Sequence, residues 1–301
     1  MSALISIFAV YSFIFLGFLA KKIFKDEIDE RTLILISLYF LQPMLTFWGL
    51  NKTPINYDLI YAPFVYFVII TVCLFLFYFV SKLLFKDITD QSIFIATSLI
   101  GNTSNLGIPL GIALFGESSI AYTSIINIAN IFFIYTVEIY LFARENFTIK
   151  QSLISMAKIP ILWIAFVALW FNYMNFHIEV NIQKALQMGA YATIVVQLMI
   201  FGIYLSKIHP KTIDYKLSLS ISIAKLIVLP IIGINIAIFM GLSAEVTKIL
   251  AMSLAVPLAV NNVNIASLYN CKPYAVTASV LISSILFLFI FYFDTIFLGI
   301  K

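Results

Sequence analysis

Residues 100 to 109 read Ile100-Gly101-Asn102-Thr103-Ser104-Asn105-Leu106-Gly107-Ile108-Pro109, and they interrupt a run without charged residues that extends from 91 to 116. A second interruption, Val256-Pro257-Leu258-Ala259-Val260-Asn261-Asn262-Val263-Asn264, falls inside the uncharged run from 249 to 271. Proline removes a backbone donor and clashes with the preceding helical turn, and glycines such as Gly101 and Gly107 make unwinding easier. Pro109 and Pro257 lie 148 positions apart, close to half of the 301-residue chain.

The composition says where such a break would sit. The chain is 62% apolar and 11% charged, whereas a soluble domain has roughly 45–50% apolar and about 25% charged residues. There is too little polar surface to face water on all sides, so the expected surroundings are a lipid bilayer. Freed peptide groups inside a bilayer must then be satisfied by a neighbouring helix, trapped water, an ion or a solute. Two cysteines, Cys73 and Cys271, and two histidines, His177 and His209, are too few for a disulfide framework or a Cys/His metal site. No metal or cofactor is therefore expected. The net charge of +4 is spread thinly, and no basic run interleaved with aromatics suggests nucleic acid.

A helix needs about 20 apolar residues to cross the bilayer core. Ten uncharged stretches qualify: 1–20, 32–50, 59–81, 91–116, 118–137, 159–176, 185–206, 226–244, 249–271 and 273–293. The first has no basic residue ahead of it and no small-residue cleavage site before Lys21, so it reads as a retained helix. Its basic flank of Lys21, Lys22 and Lys25 follows it, which places residue 1 outside and this loop inside by the positive-inside rule. With ten crossings both termini are outside. Fourteen Lys and Arg then fall on the inner side, among them Lys82, Lys86, Arg144, Lys207, Lys211 and Lys272, against Lys52, Lys184, Lys248 and Lys301 outside. The expected fold class is thus an all-α integral membrane protein of ten helices.

The halves 1–150 and 151–301 share an order of two spans, a long third, an interrupted fourth and a fifth. Because five is odd, the second half enters the membrane upside down, so spans four and nine should cross antiparallel. Paired broken helices in matching positions are a sequence pointer to a transporter binding site near the midplane, with half-helix N-termini facing an anion. The plainer reading is membrane packing, since Gly and Pro are common in such helices.

Gly101 to Leu110, followed by Ala113-Leu114-Phe115-Gly116, resembles the fourth-helix signature of the auxin efflux carrier family, whose bacterial members include proposed malate and malonate permeases. That family is related to the bile acid, arsenite and riboflavin transporter superfamily. Tyr39-Phe40-Leu41-Gln42-Pro43, Val256-Pro257, Asn261-Asn262, Ala266 and Tyr269 support the match, which covers nearly the whole chain. The resemblance implies two inverted five-helix repeats, with a scaffold from spans 1, 2, 6 and 7. Spans 3–5 and 8–10 would form a moving domain around the crossing of spans four and nine. It also implies an organic anion bound beside that crossing, with Asn102 the strongest carry-over and Asn130 a weaker one. The loop from Arg144 to Lys150 is short where plant members have a long one. This favours a carrier of a bacterial inner membrane and speaks against auxin as its substrate.

The candidate binding residues are Gln42, Asn102, Asn105, Pro109, Asn127, Asn130, Pro257, Asn261, Asn262 and Asn264. Asn102 and Asn105 are three apart, as are Asn127 and Asn130, so each pair shares a helix face. An asparagine amide donates to a carboxylate while its carbonyl accepts from a cation or water, without the cost of burying a permanent charge. It serves equally to join helices. Spacing alone leaves open whether Asn261 or Asn262 faces the site. Gln42-Pro43 contributes either one wall or a packing kink.

Glu138 and Lys225 lie roughly 9–12 Å inside the inner boundary at 1.5 Å per residue. They read as a proton site, as an ion pair, or as side chains reaching back to the surface. Asp294 near the outer end of span ten has water within reach and needs no role. The 29 Phe and 16 Tyr are lipid-facing and interfacial bulk. The expected activity is secondary transport of a small organic anion by alternating access, coupled to H+, to Na+ or to the anion's own gradient. A channel or sensor is the alternative. An intramembrane enzyme is disfavoured because there is no His-Glu-x-x-His and no Gly-x-Ser-x-Gly, and Asp87-Ile88-Thr89-Asp90 is too sparse for a metal-diphosphate site. A homodimer is compatible with the sequence.

Overall fold

The computed structural model describes the backbone of residues 2–143, 148–206 and 214–297, and the side chains among residues 8–290 of these segments, apart from Ser152. Arg144, His209, Lys207, Lys211, Lys301 and the side chain of Asp294 lie outside the described residues. The fold is all helical. In chain order the helices are α1 Ser2–Phe24, α2 Glu30–Lys52, α3 Tyr57–Leu84, α4 Ile88–Leu99, α5 Thr103–Phe115 and α6 Ser119–Ala143. There follow α7 Ile149–Ala157, α8 Pro160–Tyr173, α9 Val180–Ser206, α10 Tyr215–Phe239, α11 Ala244–Ala255, α12 Asn261–Leu268 and α13 Pro273–Phe297.

Among the described residues, six segments are long and apolar enough to cross a membrane unaided: α2, α3, α6, α9, α10 and residues 273–290 of α13. Most helices begin or end on residues that give a reason for it. Asn56 and Asp214 cap the first turns of α3 and α10, accepting from the amides of Leu59 at 2.8 Å and Leu217 at 3.0 Å. Such caps satisfy amides that the helix itself leaves unpaired.

The helices pack side by side. Helix α1 packs on α9 and contacts α5, and α2 packs on both α8 and α9 and also contacts α6. The α1–α9 contact is close because both helices place glycines there. A Cβ on Gly17 would come within 2.1 Å of the Met199 carbonyl oxygen, and one on Gly202 within 1.8 Å of the Ile14 carbonyl oxygen. Helix α3 contacts α4, α6 and α10, while α10 contacts α4, α11 and α13.

Several expected boundaries move; the fifth stretch, for one, runs past 137 to Ala143 with Glu138 buried inside α6. The eighth stretch begins at residue 215 rather than 226, because Lys225 is not a terminus but a buried residue ten positions into α10. At 1.5 Å per residue that is ~15 Å along the axis, too deep for surface snorkelling. The sixth stretch is preceded by α7, which bends into α8 ahead of Pro160; a residue before proline is driven out of the helical region.

Candidate functional site

The site begins with the two breaks. Between α4 and α5 the chain is extended at Ile100, and between α11 and α12 at Val256. The two interruptions pass antiparallel, Gly101 bridging Leu258, with the Asn102 amide donating to the Pro257 carbonyl at 2.8 Å. Backbone groups released by one break are thus partly satisfied by the other. The Leu258 amide instead donates to Ser283 Oγ of α13 at 3.3 Å.

Asn102 organises the first break. Its side-chain oxygen accepts from the Asn105 amide at 3.2 Å, and its carbonyl accepts from the amides of Leu106 and Gly107 at 3.2 and 3.0 Å. Behind it lies a buried polar chain. Thr103 Oγ1 donates to Asn127 Oδ1 at 2.8 Å, and Asn130 Nδ2 donates to Thr103 Oγ1 at 3.0 Å and to the Gly101 carbonyl at 3.2 Å. Tyr66 Oη donates to Asn130 Oδ1 at 2.8 Å. The chain holds α6 and α3 against the unwound segment, and every group that is already paired there is rigidly placed.

A cavity of about 170 Å³ lies against this crossing. Its walls include Gln42 of α2, Asn102, Thr103 and Asn105 of the first break, Asn127 and Asn130 of α6, Tyr204 of α9, and Asn261 and Asn264 of α12. Asn261 lines the cavity and is exposed, whereas Asn262 is fully buried and donates to the Ile100 carbonyl at 3.4 Å. Two lining residues, Asn102 and Asn127, each have a buried amide nitrogen, Nδ2, without an acceptor. Buried donors without partners carry a penalty of roughly 1–3 kcal/mol each, so these two are poised for an acceptor.

Pro109 and Pro257 do not line the cavity. Pro109 sits in the first turns of the regular helix that follows the Thr103–Gly107 turn, so the break is made at Ile100–Asn102, upstream of it. Glu138 and Lys225 are likewise absent from the wall, and among the described residues no ion pair joins them. Both oxygens of Glu138 lack a hydrogen-bond partner, and Lys225 is 1% exposed. The expected pair is therefore not formed, and neither side chain reaches the surface.

Four polar contributors were not singled out from the sequence: Tyr66, Thr103, Ser104 and Gln197. Ser104 Oγ accepts from Gln42 Nε2 and, at 3.2 Å, from Gln197 Nε2, joining α5 to α2 and α9. The signal was present for Gln197 as an uncharged polar residue within an apolar run. At the opposite end of the molecule, Glu117 in the turn between α5 and α6 meets Lys52 of α2 and Tyr191 of α9.

Broken helices crossing within a mostly apolar helical bundle, beside a cavity into which several asparagine-bearing segments converge, define a multi-pass membrane protein of the transporter kind. The chain matches the membrane transport protein family over residues 2–293 and belongs to it, the family of the auxin efflux carriers. It is also 25% identical over 277 residues to an uncharacterized transporter of Methanocaldococcus jannaschii, covering 88% of this chain and 89% of that one.

Proposed function

We propose that this transporter is a secondary carrier of small organic anions such as carboxylates, working in a bacterial inner membrane by alternating access. The observation that carries the reading is the pair of unpartnered amide nitrogens, Asn102 Nδ2 and Asn127 Nδ2, on residues that line the cavity at the crossing. A carboxylate supplies the acceptors they lack. The first turns of α5 and α12 start beside the same cavity, and helix N-termini favour negative charge.

Counting α4–α5, α7–α8 and α11–α12 as one crossing each gives ten, in two inverted five-helix repeats. Helices α1, α2, α8 and α9 then form the scaffold, and α3–α6 with α10–α13 form the moving domain. The cavity lies between them. Its wall runs from the crossing toward Ile34 and Ser37 of α2, Ile159 and Tyr204, the side that the basic loops assign to the cytoplasm. Closure at the other side by Glu117, Lys52 and Tyr191 fits an inward-facing state. A proton at Glu138 or the anion's own gradient would supply the driving force.

The test is thermal unfolding of the purified protein with malonate, malate, indole-3-acetate and a bile acid, followed by counterflow into liposomes. A ligand of the folded state raises the melting temperature, and saturable counterflow of the same anion is expected. An ohmic single-channel current would refute the carrier.

A further inference from the structure

Lys225 is a buried lysine that makes no hydrogen bond or ion pair among the described residues. A permanent cation in such a place is expensive unless something negative faces it. A Cβ built on Gly101 would come within 2.6 Å of Lys225 Nζ, 2.9 Å of its Cε and 3.0 Å of Val256 Cγ2. The ammonium therefore lies against the crossing, beside Gly101, which lines the cavity while Lys225 does not.

Here α4 has just ended at Leu99 and α11 at Ala255, and the turn of α10 that carries Lys225 packs on both. Each helix C-terminus carries the equivalent of about half a negative charge. Two of them converging amount to roughly one elementary charge, which one ammonium neutralises. In carriers built on broken helices, half-helix C-termini and unwound carbonyls are where a coupling cation is held.

We propose that Lys225 is a tethered cation at the crossing, standing in for the Na+ that the two helix C-termini would otherwise require. It supplies the fixed positive charge beside the anion site. This rests on the anion-carrier reading for its second clause but not for its first. Its consequence is that binding and transport do not depend on Na+, and that the charge is never released during the cycle.

The experiment uses the full-length protein in lipid nanodiscs, in sodium chloride against choline chloride of equal ionic strength. Malonate, malate and indole-3-acetate are the binding probes. Wild type should melt at the same temperature and bind the same anion equally in both salts. Lys225→Met, of similar shape but uncharged, should bind that anion on the order of tenfold more weakly, the size expected for one charge at several ångströms in a partly screened interior. Lys225→Ala, which vacates the space, should acquire a rise in melting temperature in sodium over choline that wild type lacks, which a merely structural lysine would not produce.

Sodium-dependent binding by wild type, wild-type affinity in Lys225→Met, or no sodium response in Lys225→Ala would each overturn the assignment. If wild type binds none of the three anions, the carrier reading fails instead, and the sodium response of Lys225→Ala still decides the first clause.

Discussion

The two interrupted helices are alike in backbone and opposite in side chains. At the first break the chain is polar: Asn102 caps the turn that follows, and Thr103, Asn127, Asn130 and Tyr66 extend the network into α6 and α3. At the second, Val256 to Val260 are all buried, and Val260 gives α12 no side-chain cap. The first break can recognise a solute and hold its own shape. The second supplies backbone, a carbonyl at Pro257 and two cavity-facing asparagines further on. The polar side chains of the crossing thus sit chiefly at one of its two breaks.

The largest effect that would break this contrast is at its most polar residue. Asn102→Ala removes a cap, about 1 kcal/mol, and a donor that would bind a charged acceptor, about 1.5–3 kcal/mol. Anion affinity should fall about 10- to 100-fold while the protein still purifies as a monodisperse species. Asn262→Ala, on the apolar side of the comparison, loses one long bond to the Ile100 carbonyl and should change affinity less than about threefold, with at most about 1 kcal/mol in stability. Equal losses from the two variants, measured by titration, would refute the asymmetry.

The next effect compares two glycines of the first break. Gly101 has no room: its Cβ would press on Lys225 and Val256. Gly101→Ala should therefore lower the melting temperature, corresponding to about 1–3 kcal/mol of overpacking. Gly107 closes the Thr103–Gly107 turn with helical dihedrals, φ −63° and ψ −45°, and the nearest atom to its Cβ would be 3.6 Å away, an ordinary contact. Gly107→Ala should be neutral or stabilise by up to about 1 kcal/mol. Opposite signs in one thermal-unfolding series are the expected outcome.

Much of this was legible before any coordinates, and the limits have physical causes. Charge-free runs locate helices as long as charges mark the membrane boundary. They mark α2 and α3 to within two or three residues, since Glu30, Lys52, Asp58 and Lys82 lie at the ends. The rule fails at Glu138 and at Lys225, which are buried inside α6 and α10 rather than at their ends. The asparagines were recognisable by type and spacing, but their partners were not. Whether Asn130 meets Tyr66 depends on how α3 packs on α6, which no local pattern records. Asn261 and Asn262 separate only once the axis of α12 is known.

Tyr66→Phe sharpens the comparison at a smaller scale. It deletes one buried bond to Asn130 and leaves an acceptor unpaired, a cost of about 1–3 kcal/mol. Because Asn130 also holds Thr103 and the Gly101 carbonyl, the variant should loosen the first break and weaken anion binding by a factor smaller than Asn102→Ala does. A hydroxyl elsewhere on α3 has no such reach, so Ser81→Ala, whose hydroxyl bonds only within its own helix, should leave binding unchanged.

The smallest effect is electrostatic and compares two half-exposed ion pairs. Glu117, in the turn between α5 and α6, bonds Lys52 of α2, and that bond, reinforced by Tyr191 of α9, holds its carboxyl below the usual carboxylate range. Asp87 is held low likewise by Lys272, in a bond that ties the start of α4 to the turn before α13. For both carboxylates the folded state has the lower pKa, so their stabilisation is complete above the unfolded value and is lost as the pH falls through the folded one. The pairs are half exposed, so each should contribute less than about 1 kcal/mol. Glu117→Gln should remove part of the acid-side loss of stability and, under the alternating access proposed above, also speed counterflow, because in that cycle the contact breaks. Lys272→Met should reduce acid sensitivity alone. If both variants changed the transport rate equally, Glu117 would not be a contact between moving parts.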